Sequence, residues 1–184
     1  MYVVTYKGQF GFIKPWTAVR DGETFSQQFL TPSIIEGIEK KLFPELLSVP
    51  GIHKILRHKL KYDSMDTQQE VTQPRGWVYK NKTFIRARSV LKRSVLLNPV
   101  LYIAFEKEED AISASKQHLC VCRNEDILLP ESEIREMKEE EFNQLSGYEL
   151  RFGESELSFL VGYNRFNNNQ PMLGWIEYNG QSIL

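Results

Sequence analysis

Two short runs of the sequence carry side chains that can move protons during RNA cleavage. His58-Lys59 and Lys116-Gln117-His118 each place an imidazole close to an ammonium group. Lysine, histidine or tyrosine side chains can assist attack by a ribose 2′-hydroxyl without a metal ion. His58, Lys59, Lys116 and His118 are therefore candidate catalytic residues of a metal-independent nuclease, although such pairs also arise often by chance.

A longer segment alternates cations with aromatic rings. Cationic side chains neutralise phosphates, and flat rings stack on unpaired bases. On this basis, nine positions are candidate RNA-binding residues: Arg75, Trp77, Tyr79, Lys80, Lys82, Arg86, Arg88, Lys92 and Arg93. The cationic face of a predicted strand adds Arg57, Lys59 and Lys61. Trp16 and Arg20, in a predicted loop, are expected to add RNA or protein contacts. The alternative for Trp77 and Tyr79 is a place in the core of a hairpin.

Other site chemistries lack their motifs. The sequence contains no phosphate-binding glycine loop, no Walker-type lysine motif and no nucleophile elbow. Cys120 and Cys122 have only His118 close by in the sequence, and a structural zinc site needs four ligands. We therefore predict neither a metal site nor a cofactor.

The charge of the chain is segregated along its length. The formal net charge is −1, yet residues 51–100 carry 11 Lys and Arg against 3 acidic residues. Residues 101–160 carry 6 Lys and Arg against 15 acidic residues. A strongly basic segment within a neutral protein is typical of a surface that faces a polyanion, while chance clustering of two solvated faces is the alternative.

Hydropathy indicates a protein of the cytoplasm. No apolar run reaches the roughly 18 residues of a membrane span, and the first ten residues do not resemble a secretory signal. We expect a cytoplasmic location and no membrane partner.

The positions of strands and helices follow from hydrophobic periodicity. Residues 2–12 and 52–62 alternate as strands, with Arg57, Lys59 and Lys61 on one face of the second strand. Thr31-Pro32 predicts a helix start with a side-chain cap, and Gly37 within that helix predicts close approach to a neighbouring backbone.

The second half of the sequence is predicted to contain one helix and several strands. Residues 63–82 suggest a protruding hairpin, and residues 95–105 a strand interrupted by Pro99. Residues 131–143 predict an acidic helix, and three short strands are expected after it. This order favours an α+β, ferredoxin-like (RRM-like) fold with a protruding hairpin and additional C-terminal strands and helix.

Five segments resemble the Cas-five family of the RAMP superfamily, most closely its subtype I-C branch. Residues 12–15 read Phe-Ile-Lys-Pro, and residues 31–38 match the family's Thr-Pro-Ser-x-x-x-Gly-Ile helix start. Residues 52–71 are similar to its basic strand, and residues 97–103 to its Leu-x-x-Val-x-Tyr-x-Ile strand. Residues 173–178 contain the Leu-Gly-Trp with which the family often ends.

The resemblance implies one RAMP-type domain over residues 1–184. Residues 62–95 would form a thumb-like hairpin, and residues 111–184 the C-terminal strands and acidic helix. Family members bind the 5′ handle of a CRISPR guide RNA in a type I (Cascade) complex for antiviral defence. The implied partners are this RNA, backbone-forming Cas-seven-type subunits, the large Cas-eight-type subunit and, within the complex, target DNA.

The same resemblance leaves the activity open between binding and cutting. The I-C branch also cuts precursor RNA with a Tyr, Lys and His set. Here Phe43 follows the first helix, and Asn98-Pro99 stands where a Lys-His pair would be sought. We therefore expect an RNA-binding subunit, with a metal-independent endoribonuclease and a purely structural adaptor as the alternatives.

Overall fold

The computed structural model describes residues 1–15, 22–72, 76–86, 88–164 and 168–180. These residues form three α-helices: α1 (Pro32–Leu42), α2 (Glu108–Ala114) and α3 (Glu139–Gln144). The strands are β1 (Tyr2–Lys7), β2 (Phe10–Gly11), β3 (Glu23–Phe25), β4 (Ile55–Lys61), β5 (Ser64–Thr72), β6 (Val78–Lys80), β7 (Thr83–Ile85), β8 (Ser89–Leu97), β9 (Val100–Phe105), β10 (Leu119–Cys120), β11 (Ile127–Glu136), β12 (Gly147–Phe152), β13 (Phe159–Asn164) and β14 (Gln170–Asn179). None of these helices is long and apolar enough to cross a membrane.

Four antiparallel strands in the order β11-β1-β9-β4 form the centre of the main sheet. Helix α1 follows β1 in sequence, and α2 follows β9, so the chain runs β-α-β-β-α-β through this centre. Both the order and the connections are those of a ferredoxin-like fold. The predicted α+β class is therefore confirmed.

Strand β1 is buried on both faces because protein covers each side of the sheet. Val4 and Tyr6 belong to the core beneath the helices, and the Tyr6 hydroxyl donates to the Ala114 carbonyl at 2.8 Å. Val3 points the other way and packs with Ala104 and with Phe142 of α3. The open face that a minimal ferredoxin-like domain would expose is thus partly covered by the chain itself.

Helix α1 forms over the predicted residues, but two of its details differ. Thr31 makes no side-chain cap, and its hydroxyl instead lies 3.1 Å from the Ser33 hydroxyl. No atom lies within 4 Å of a Cβ built on Gly37, so the expected close approach to another backbone is wrong. The helix is held by its apolar stripe, since Ile35 and Leu42 are buried in the core.

A long hairpin is inserted between the neighbouring core strands β4 and β9. Its arms, β5 and β8, pair from Ser64 opposite Leu97 to Thr72 opposite Ser89. The short strands β6 and β7 pair beyond these arms, and β2 and β3 flank β8 near the main sheet. A hairpin was predicted at residues 63–82, whereas its second arm, β8, lies beyond them and ends at Leu97.

The C-terminal part corrects one prediction. The acidic segment 131–143 was expected to be helical, yet β11 extends to Glu136 and only the short α3 is helical. Pairing with β1 explains the difference, since the fourth strand of the ferredoxin-like sheet comes from this segment. Strands β12, β14 and β13 then extend the sheet beyond β4.

Candidate nucleic-acid interface

The distal half of the hairpin exposes aromatic and basic residues that the sequence singled out, together with Phe84, which it did not. Trp77, Tyr79 and Phe84 are 60%, 63% and 64% exposed, so they are not core residues of the hairpin. We call the following set the hairpin surface: Trp77, Tyr79, Lys80, Lys82, Phe84, Arg86, Arg88 and Lys92, all exposed. Large exposed rings beside cations are unusual on a protein surface that has no partner.

Strand pairing arranges the rings of the hairpin surface. Tyr79 lies opposite Phe84 across β6 and β7, with ring centroids 5.0 Å apart and an interplanar angle of 52°. The Arg86 guanidinium carbon lies 4.7 Å from the centroid of the Trp77 ring. An unpaired base can stack on such rings or on an arginine plane.

The cations of the hairpin surface are not neutralised within the described chain. No carboxylate of the described residues lies within 4.0 Å of Lys80, Lys82, Arg86, Arg88 or Lys92. Arg93, closer to the main sheet, differs because its Nε donates to Glu70 Oε2 at 2.7 Å and its guanidinium lies over the Phe12 ring. Five cations of the hairpin therefore stay available to phosphates.

Arg57 is placed on one sheet face by the alternation of β4, as predicted, but that face is occupied by protein. Its guanidinium donates to both carboxylate oxygens of Glu149, at 2.9 and 2.5 Å, and to Asn143 Oδ1 at 2.7 Å. Burial opposes the charge of Arg57, while the Glu149 carboxylate raises its pKa, and the net shift is upward. An RNA contact by Arg57 stays a prediction, and the geometry gives this side chain a structural role.

Lys59 lies on the same face and has no exposed surface. Its Nζ donates to the carbonyls of Asn143 and Leu145, both at 2.9 Å, and burial lowers its pKa. Lys61, two residues further on, is only half-buried. The α3 segment thus separates two of the three sheet cations from solvent.

The candidate catalytic residues are not brought together. His58 and Lys59 point to opposite faces of β4, and His58 is buried on the side of the helices. Burial lowers the pKa of His58 to about 4, aided by the neighbouring Arg57 charge. Lys116 and His118 lie exposed in the connection between α2 and β10, away from β4 in the sheet order.

Three of the predicted contact residues lie outside the described part of the chain: Trp16, Arg20 and Arg75. Within the described part, no group of three or more His, Cys, Asp or Glu side chains is arranged to hold a metal ion.

Comparison with known proteins yields a structural match only. No family model matches the sequence, and no curated protein matches it. A chain in a solved structure described as a CRISPR RNA-guided surveillance complex superposes with a TM-score of 0.51 at 10% sequence identity. The match covers 97% of this chain and 89% of that chain. At this identity the match establishes a shared fold.

Proposed function

We propose that this chain is an RNA-binding subunit of a CRISPR RNA-guided complex and that it binds the 5′ handle of the guide RNA. The observation that carries the proposal is the hairpin surface, where exposed rings alternate with cations that no carboxylate of the described chain neutralises. This combination suits single-stranded RNA, whose phosphates need counterions and whose bases need stacking partners. The fold shared with a chain of such a complex supports the same assignment.

The position of α3 supports RNA binding at the hairpin surface, because α3 covers the alternative face of the sheet. RRM-type proteins stack bases on the open face of the sheet. Here Phe142 of α3 packs on Val3 and Ala104 at the centre of that face, and Lys59 is sealed beneath the same segment. The exposed hairpin is therefore the better platform for bases in this chain.

A purely structural adaptor is the second candidate, and one observation favours it. The outer strand β13 and the residues before it expose large apolar side chains, among them Leu157, Leu160 and Tyr163. Exposed apolar groups on an edge strand suit a protein partner. We propose the Cas-seven-type and Cas-eight-type subunits as those partners, whether or not the chain also binds RNA.

Incubation of the purified protein with its own labelled repeat RNA in EDTA separates the candidates. We expect a gel shift without cleavage, because the candidate proton-transfer residues lie apart in the fold. A shift with a discrete cut would identify a metal-independent nuclease instead. Absence of a shift, together with co-purification of protein subunits, would contradict RNA binding and support the adaptor.

A further inference from the structure

A cavity of about 850 Å³ opens where the hairpin joins the main sheet. The end of β4, the start of β12 and the end of β14 form one wall, with Tyr62, Tyr148 and Tyr178. The first residues of β5, Ser64 and Met65, form another. The volume lies within the range of sites that enclose a small organic ligand.

The three tyrosine rings lie in a row, with Tyr148 between Tyr62 and Tyr178. Tyr62 and Tyr148 are nearly parallel, with centroids 5.9 Å apart and an interplanar angle of 14°. Tyr148 and Tyr178 lie 4.5 Å apart at 33°. The pairing of β12 with β14 sets Tyr148 directly opposite Tyr178, so the backbone register fixes the position of these rings.

A glycine keeps the wall of the cavity close to β4. Gly147 has a φ of +138°, and a Cβ on it would lie 2.8 Å from the Leu60 carbonyl oxygen. Any larger residue would therefore push β12 away from β4 and separate Tyr148 from Tyr62. The arrangement of the tyrosine rings therefore depends on the close approach of Gly147 to the Leu60 backbone.

The cavity is lined by one cation, Lys61, and one carboxylate, Asp63. Lys61 lines the cavity and has no carboxylate of the described chain within 4.0 Å. The carboxylate of Asp63 already accepts a hydrogen bond from Asn98 Nδ2 at 3.0 Å. Burial is the main cause that raises the pKa of Tyr62, and a hydrogen bond with Tyr148 raises it further. The Tyr62 hydroxyl therefore stays protonated and neutral.

From this geometry we infer that the tyrosine cavity binds one unpaired nucleotide, with its base packed against the row of tyrosine rings and its phosphate at Lys61. The inference rests on the proposed function, and it adds a second contact that selects one position of the RNA. Strand β5 starts at the cavity and leads to the hairpin surface, so one RNA strand can occupy both.

A protein variant combined with altered RNA tests the inference. Fluorescence anisotropy would measure the affinity of the labelled repeat RNA for the unaltered protein and for Tyr148→Leu. Loss of one stacked base typically weakens binding about 5- to 150-fold. We expect a loss of that size in Tyr148→Leu, a smaller one in Lys61→Met, and less than about threefold in Tyr148→Phe, which keeps the ring.

RNAs that each carry one abasic position extend the test. At one position, removal of the base should weaken binding of the RNA to the unaltered protein. The same removal should not weaken binding to Tyr148→Leu any further, because the base and the Tyr148 ring take part in the same contact. An RNA carrying 5-iodouracil at that position should crosslink to a cavity tyrosine, identified by mass spectrometry. The crosslink needs no variant, so a misfolded Tyr148→Leu cannot hide the answer.

The outcomes separate failure of this inference from failure of the proposed function. No RNA binding by the unaltered protein overturns both. RNA binding that weakens in hairpin variants but not in Tyr148→Leu, with crosslinks confined to residues 76–93, overturns the cavity alone. Binding of millimolar AMP that is lost in Tyr148→Leu but leaves the affinity for the RNA unchanged would make the cavity a site for free nucleotides and also overturn the inference.

Discussion

His58 couples the stability of the fold to pH. The side chain is buried, its ring interacts with the Leu30 backbone, and its Nε2 has no partner among the described residues. Its pKa of about 4 in the folded chain lies below the ordinary value of 6.5. The unfolded chain therefore binds a proton in the pH range between these values while the folded chain does not.

The first prediction concerns this histidine. Stability should be complete above pH 6.5 and should fall as the pH drops from 6.5 towards 4, by up to about 3 kcal/mol from this residue. Urea denaturation at pH 7.0 and at several lower values measures the slope. His58→Asn, which keeps an amide near the Leu30 backbone, should have a flatter profile, and an equal slope in both proteins would contradict the assignment.

The second prediction concerns the buried pair of Arg57 and Glu149. Their side chains are 10% and 4% exposed, so removing one partner leaves a buried charge. Arg57→Met and Glu149→Leu should each cost about 3–5 kcal/mol of unfolding free energy, and the double variant much less than their sum. Chemical denaturation of the four proteins gives the coupling energy.

Arg151 and Glu177 supply the matched control for that cycle. They form an ion pair at 3.3 Å, with side chains 31% and 34% exposed. Breaking it should cost no more than about 1 kcal/mol. Similar costs for the two pairs would mean that Arg57 is not buried as described and is accessible to RNA.

These residues mark the limit of local sequence information. Alternation along β4 correctly placed Arg57 and Lys59 on one face, because side-chain direction is a property of the strand itself. Whether that face meets solvent depends on Glu149 and α3, which lie more than 80 residues away in the chain. No local pattern connects the two segments.

At the scale of elements, the hairpin carries exposed cations that no carboxylate of the described chain neutralises. Salt weakens RNA binding because protein cations release counterions from phosphates, with a slope of about 0.7 per contact for single strands. We predict that replacing Lys80, Lys82 and Arg86 by Ala lowers the slope of log Kd against log salt by about 2. Anisotropy titrations of the repeat RNA between low and moderate salt measure it.

The control for the hairpin replaces three other exposed lysines, Lys14, Lys41 and Lys107, by Ala. Its net charge equals that of the hairpin variant, so a general effect of charge should change both slopes alike. An unchanged slope in the hairpin variant, or equal changes in the hairpin and control variants, would show that Lys80, Lys82 and Arg86 do not contact the RNA.

Elements with a strong local signal were predictable, and those that depend on distant pairing were not. Helix α1 combines Pro32 at its first position with an apolar stripe, both of which act locally. Residues 131–136 contain enough Glu to suggest a helix, yet they pair with β1 as part of its second neighbouring strand, β11. Tertiary pairing overrides helix propensity there, since propensity is worth less than a place in the sheet.

At the scale of the whole molecule, acidic side chains of residues 101–160 neutralise some of the cations of residues 51–100. Asp110 pairs with Lys54, and Glu139 and Glu149 pair with Arg57. These pairs neutralise cations near the main sheet, whereas the cations of the hairpin surface have no carboxylate partner among the described residues. The near-zero net charge therefore conceals a local excess of positive charge on one projection.

The fold class was predictable from the order of the first elements, whereas helix α2, the last core strand β11 and the tyrosine cavity were not. A strand, a helix, two strands, a helix and a strand define the ferredoxin-like centre in sequence order. Tyr62, Tyr148 and Tyr178 come from three separated segments that the sheet extension alone brings together. Each is an ordinary strand residue in its own neighbourhood.

The central place of β1 also bears on how the chain folds during synthesis. Its two neighbours are residues 100–105 and 127–136, so β1 must wait with at least one edge unpaired until both have been made. At typical elongation rates of about 5–20 residues per second, that wait lasts roughly 6 to 26 s. During this interval an apolar segment, Tyr2–Lys7, is exposed with open hydrogen-bonding edges, and binding by a chaperone would protect it from aggregation on the ribosome.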